Sequence, residues 1–170
     1  MAKPGTYSIW IVPGKGMKGR LYRRIKELSG MHNATPFEPH LTLVKDIKMG
    51  ESEAVERTKG LAGSLGSFAV KLGRPSSSQS YFKSVFIKVR KTGELYRAYR
   101  QASEAFGLKS NMYRPHISLI YASLPASKRR SIVKGLKAKE LGGSFVADNL
   151  HLHRTEGGVE GWRCVFKARV

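Results

Sequence analysis

The chain has 170 residues and carries 31 Lys+Arg against 12 Asp+Glu, a formal net charge of +19. That length suits one domain over 1–170 with a buried core, and 41% hydrophobic with 25% charged residues argues against a disordered basic tail. No window approaches the roughly 18 consecutive apolar residues of a membrane span, so no membrane partner is expected.

The opening Met1–Gly5 runs directly into Tyr7–Val12, a β-rich stretch stopped by Pro13-Gly14, and leaves no space for a signal peptide. Between Lys18 and Ser29, Leu21, Ile25 and Leu28 recur at helical spacing, and Gly30 follows as a stop. His40–Val44 reads as a strand, 51–62 as a helix, Phe68–Leu72 and Tyr81–Val89 as strands around a flexible Gly73–Ser80 connection. The second half repeats this order. Glu94–Phe106 is helical and ends at Gly107, His116–Tyr121 is a strand, and Ser127–Lys139 is a basic helix. Phe145–Arg154 and Trp162–Val170 read as a closing hairpin joined through Gly157-Gly158. The fold class expected is α+β with two similar lobes, in a monomer.

The positive excess is spread over both halves, so it belongs to the folded surface. It attracts phosphate-bearing partners without reading their sequence. Cys164 is the single cysteine and cannot form an intramolecular disulfide. A reducing setting, cytoplasmic or nuclear, is therefore expected, with Cys164 as a small buried residue of the last strand.

One five-residue pattern occurs twice. Pro39-His40-Leu41-Thr42-Leu43 and Pro115-His116-Ile117-Ser118-Leu119 share the form Pro-His-aliphatic-hydroxyl-Leu, with the histidines 76 residues (116 − 40) apart. Strand side chains alternate faces, so each copy presents its imidazole and its hydroxyl on one side and anchors its aliphatic residues on the other. A pseudo-twofold arrangement would set the copies side by side around a groove. Two imidazoles there suit hydrolysis of a phosphodiester without a metal or other cofactor: one takes a proton from water, the other gives one to the leaving oxygen. Thr42 and Ser118 can hydrogen-bond the non-bridging phosphate oxygens as charge develops.

On these residues the sequence resembles the 2H phosphoesterases, named for two His-x-[Ser/Thr]-x motifs. Tyr7–Pro13, Tyr81–Phe86 and Tyr113–Tyr121 extend the likeness along the whole chain toward the plant and yeast cyclic phosphodiesterase branch. The resemblance implies a bilobal fold with a central groove between two antiparallel sheets, and His40 and His116 as general acid and base with Thr42 and Ser118 on the phosphate. It implies nucleoside 2′,3′-cyclic phosphates opened to 2′-phosphates, and ADP-ribose 1″,2″-cyclic phosphate opened to the 1″-phosphate, a reaction tied to tRNA splicing. Trp10, Tyr81 and Tyr121 become candidates for the groove wall, although strict alternation from His116 turns Tyr121 to the other face. Lys83, in place of a glutamine of the branch, is a candidate phosphate contact. The charge of +19 favours a larger substrate, an RNA terminus with a 2′,3′-cyclic phosphate or a 2′-5′ or 3′-5′ linkage, while the intact His/hydroxyl pairs speak against a third reading, an RNA-binding module without turnover.

Other features carry less. His151 and His153 stand at i, i+2 without a nearby acidic or Cys ligand and read as a solvated strand face. His32 has no partner. Gly14-Lys15-Gly16-Met17-Lys18-Gly19 lacks the Gly-Lys-Ser/Thr ending of a phosphate loop and reads as a flexible basic loop.

Overall fold

The computed structural model describes residues 3–170, so the first two residues of the Met1–Gly5 lead-in lie outside it. Among the described residues eight strands form one antiparallel sheet: β1 (Gly5–Ile11), β2 (Leu41–Met49), β3 (Phe68–Ser77), β4 (Val85–Val89), β5 (His116–Ile120), β6 (Ser144–Ala147), β7 (Asn149–Arg154) and β8 (Arg163–Arg169). The spatial order is β6-β3-β4-β5-β2-β1-β7-β8. Five α-helices interleave among the same described residues: α1 (Lys15–Met31), α2 (Glu51–Ser64), α3 (Gly93–Ala105), α4 (Ala126–Gly135) and the one-turn α5 (Ala138–Leu141).

The sheet divides naturally into two four-stranded lobes, because β2 and β5 are joined only at Leu41↔Ile117. Elsewhere neighbouring strands pair over several positions, as in the six of β7 with β8. The expected two antiparallel sheets are therefore present, joined by one bridge into a continuous curled surface. Read outward from that bridge, the order β5-β4-β3-β6 on one side mirrors β2-β1-β7-β8 on the other.

Helix formation follows the apolar spacing. Met17, Leu21, Ile25 and Leu28 of α1 are buried as one stripe, and Leu95, Ala98, Tyr99 and Ala102 make the same stripe on α3. Thr92 caps α3 by accepting from the Leu95 N–H at 3.2 Å, and Gly107 leaves it with φ +62°, a value that suits glycine. Helix α1 packs on β5 and α3 on β2, so each motif strand is backed by the helix of the other half-chain. Ile117 and Leu119 of β5, and Leu41 and Leu43 of β2, fill the core between them.

Five expectations are corrected. Lys15–Gly19 is the first turn and a half of α1, because Met17 docks into the core and outweighs the poor helix propensity of the glycines. The Gly73–Ser80 connection is mostly strand: β3 continues to Ser77, with a register shift between Leu72 and Pro75 where Gly73 lets the Lys88 carbonyl approach. Tyr81–Val89 splits into a 3₁₀ turn at Tyr81–Lys83 and β4. Phe145–Arg154 is no single hairpin arm, since β6 pairs with β3 in one lobe and β7 with β1 in the other. The helix expected over Ser127–Lys139 likewise breaks into α4 and α5 at Leu136-Lys137.

Candidate active site

Continuing the antiparallel register one residue either side of Leu41↔Ile117 sets His40 across from Ser118 and Thr42 across from His116. All four line one groove of about 750 Å³ on the concave side of the sheet, as alternation on two strands requires. Each histidine faces the hydroxyl of the other motif.

The prolines shape both imidazoles alike. His40 Nδ1 lies 2.6 Å from the Glu38 carbonyl and His116 Nδ1 lies 2.9 Å from the Arg114 carbonyl, in each case two residues upstream across the proline. A carbonyl only accepts, so both Nδ1 atoms carry the proton, and each Nε2 is left to exchange protons in the groove.

Their surroundings differ. His40 is 6% exposed and stacks flat on Trp10, ring centroids 3.5 Å apart, with Tyr121 Oη 3.4 Å from its Nε2. Burial pushes the His40 pKa down to about 3, against a smaller opposing effect of the Glu38 carbonyl. His116 is half-buried, and its pKa is lowered first by burial and then by the charges of Lys83 and Lys45, with the Arg114 carbonyl opposing. Lys83 Nζ sits 4.6 Å over the Phe86 ring, and that ring meets His116 edge-on at 5.4 Å. In the open groove the acquired proton therefore rests more easily on His116 than on His40.

Both hydroxyl residues also anchor neighbouring segments, Ser118 through its side chain and Thr42 through its backbone. Ser118 Oγ donates to the Phe82 carbonyl at 2.7 Å, which fastens the 3₁₀ turn to β5. The Thr42 carbonyl accepts from Tyr113 Oη at 2.9 Å, tying the approach to the second motif onto the first. Tyr113 stacks on Tyr99, whose hydroxyl both donates to the Asn111 carbonyl and accepts from its N–H. These contacts hold the Leu108–Arg114 segment along the groove, where Lys109 and Arg114 join Lys45 and Lys83 as basic lining.

Among the groove-wall candidates, Lys83 lines the groove as expected. Tyr121 also lines it: β5 ends at Ile120, so the alternation that would turn Tyr121 away no longer applies, and it stacks on Phe37 at 3.7 Å. Trp10 lines the groove but offers no open face, because His40 covers one side and His153, at 3.6 Å, the other. Tyr81 lies outside the groove, and its equally exposed neighbour in the 3₁₀ turn, Phe82, lines it instead. Phe82 stacks obliquely on Trp162 at 5.7 Å, and Tyr121 meets both edge-on. Sequence reasoning missed Phe82 and Trp162. A turn without regular period precedes one and the glycine-rich Gly157–Gly161 loop precedes the other, so no periodic signal marks them.

His151 and His153 are buried, not solvated, because the β1 and β8 neighbours and the Trp10 ring cover them. Cys164 is exposed on β8, opposite His153. His32 does not line the groove.

Two lobes that each bring one His and one hydroxyl to a shared groove define a 2H phosphoesterase. The family described as cyclic phosphodiesterase-like protein matches residues 5–170. A cyclic phosphodiesterase of Arabidopsis thaliana is 24% identical over 153 residues, spanning 89% of this chain and 83% of its own. The fold is shared with apo LigT of E. coli, at TM-score 0.69 and 11% identity over 99% of each chain. LigT complexed with 3′-AMP superposes at TM-score 0.64 and 14% identity, again over 99% of each chain. The chain belongs to the cyclic phosphodiesterase-like family of the 2H phosphoesterases, and it is a phosphodiesterase.

Proposed function

We propose that the enzyme opens nucleoside 2′,3′-cyclic phosphates to 2′-phosphates, and ADP-ribose 1″,2″-cyclic phosphate to the 1″-phosphate, by two-histidine catalysis without a metal. The observation that carries this reading is the matched pair of imidazoles, each with Nδ1 held by a backbone carbonyl and Nε2 available in one groove. His40 Nε2 takes a proton from water as its oxygen bonds to phosphorus. The P–O bond to the leaving ribose oxygen breaks, and His116 Nε2–H gives that oxygen its proton. The burial of His40 and the easier protonation of His116 support this direction. Thr42 and Ser118 donate to the non-bridging oxygens, Ser118 exchanging its bond to the Phe82 carbonyl for one to the phosphate. Phe82 and Trp162 supply aromatic faces for the base. LigT complexed with 3′-AMP is a fold relative with a nucleotide bound, consistent with a nucleotide in this groove.

A second reading, an RNA strand ending in a 2′,3′-cyclic phosphate or joined by 2′-5′ or 3′-5′ linkages, is favoured by the basic groove lining of Lys45, Lys83, Lys109 and Arg114 and by the charge of +19. Phosphorus NMR of the products separates the two. Protein in EDTA is incubated with 2′,3′-cyclic AMP and with an oligonucleotide bearing a terminal cyclic phosphate. Rapid formation of 2′-AMP supports the first reading, turnover of the oligonucleotide alone moves the assignment to RNA ends, and no turnover of either overturns both cyclic-phosphate assignments.

A further inference from the structure

Behind Trp10, on the side away from His40, lies a second cluster that the phosphodiesterase chemistry does not use. One donor atom each of His151, His153 and Cys164 falls within 4.8 Å of the others, and none of the three residues lines the groove. The two histidines are 8% and 4% exposed, and the Nδ1 atom of each is buried without a hydrogen-bond partner. Buried polar atoms are nearly always paired, so two orphans on adjacent same-face imidazoles call for a ligand.

The backbone brings the thiol to them. Leu152 pairs with Phe166, and in regular register Val165 would then face His153, leaving Cys164 on the side of Leu152 and the core. The register shifts by one at this point, so His153 pairs with Cys164 and Val165 is the extra residue of a β-bulge. Bulges redirect side chains in this way. Glu38 completes the surroundings. Its Oε2 lies 3.6 Å from His153 Nε2, and it is also paired with Lys18. A carboxylate at Nε2 orients the ring and leaves Nδ1 as the coordinating atom, the arrangement that commonly supports metal-bound histidine.

We propose that His151, His153 and Cys164 form a binding site for a zinc-type divalent cation. Two imidazoles and one thiolate select a borderline-soft ion over magnesium or calcium, and the exposed side of Cys164 leaves a fourth position for water. Metal–ligand bonds of about 2.0–2.3 Å in a tetrahedron hold donors roughly 3.3–3.8 Å apart. Closing the cluster thus takes a shift of about 1 Å, within the reach of side-chain rotation. The ion clamps β7 to β8 and holds His153 against Trp10.

The test is titration of the whole protein, first freed of metal by a chelator, with Co²⁺. Expected are one equivalent bound, the intense visible bands of tetrahedral Co²⁺, a near-ultraviolet thiolate-to-cobalt band, and bleaching of both by Zn²⁺. Cys164→Ser removes the charge-transfer band; because Cys164 is exposed this variant retains its fold, checked by circular dichroism. Glu38→Gln lowers Co²⁺ affinity about tenfold while keeping the band. A weak octahedral spectrum without the charge-transfer band, or a band unchanged in Cys164→Ser, overturns the site. Neither result bears on hydrolysis, which is measured separately in EDTA.

Discussion

Leu41 and Ile117 face each other at the one paired position that joins the two lobes, and each directly follows a groove histidine. Both side chains are fully buried, so this apolar pair sets the spacing of the four polar groups on the opposite face. The register sets His40 across from Ser118 and Thr42 across from His116, so each imidazole has the hydroxyl residue of the other lobe opposite it. The paired chemistry exists only when the lobes dock.

Replacing His40 or His116 with Ala is expected to lower kcat for 2′,3′-cyclic AMP by about 10²–10⁴-fold, the range for loss of a general acid or base. Product binding, followed by calorimetry with 2′-AMP, survives in both variants. Near-wild-type turnover in either one removes that residue from the proton-transfer pair.

The pH dependence of kcat/KM follows from the two environments. With His40 held neutral down to about pH 3, the acid limb lies far below neutrality. The requirement for protonated His116, whose pKa burial and the charges of Lys83 and Lys45 hold below the ordinary histidine range, makes activity of the free enzyme fall as pH rises through that lowered pKa. Lys83→Met removes a positive charge that depresses His116, so the basic limb moves to higher pH. An unmoved basic limb in Lys83→Met reverses the acid and base assignments or dismisses the coupling.

Stability also depends on His40. Its folded pKa of about 3 lies below the ordinary 6.5, so the unfolded chain binds a proton that the native chain refuses between these values. The stabilising contribution is therefore full above pH 6.5 and declines as pH falls toward 3, at up to about 1.4 kcal/mol per pH unit for this one group. His116 adds the same sign. Urea melts at pH 7 and pH 5 show the loss, and His40→Gln flattens the slope relative to wild type.

Phe82→Ala and Trp162→Ala are expected to raise KM for 2′,3′-cyclic AMP by about 5–100-fold with a smaller change in kcat, since base–aromatic stacking contributes about 1–3 kcal/mol. Tyr81→Ala, outside the groove, leaves both constants near wild type. A selective loss in Tyr81→Ala exchanges the roles of these neighbours.

Trp10→Ala separates packing from recognition. With both ring faces covered by His40 and His153, truncation is expected to destabilise the protein by about 3–5 kcal/mol and to lower kcat through a loosened His40, with KM little changed. A dominant rise in KM with an unchanged melting temperature assigns Trp10 to the substrate instead.

The repeated Pro-His-aliphatic-hydroxyl-Leu pattern was sufficient to place His40, Thr42, His116 and Ser118 on one face of two matching strands, because strand alternation is a local property of the backbone. The stripes of α1 and α3 were legible for the same reason: burial of one face repeats every three or four residues. Lys15–Gly19 was misread because core docking of Met17 overrides glycine propensity, and that docking is not local. Tyr81 and Phe82 could not be told apart because a 3₁₀ turn interrupts the period at that point.

What the tertiary structure alone decided are the relations between distant segments. The single bridge between β2 and β5 determines which hydroxyl each histidine meets, and burial separates His40 from His116 although their local motifs match. A one-residue bulge at Val165 turns Cys164 to His151 and His153, a placement that hydropathy cannot encode because it depends on strand register. Sequence by itself therefore determined the chemical groups and the faces they occupy; their partners, depth and protonation came from long-range packing, which acts on residues far apart in the chain.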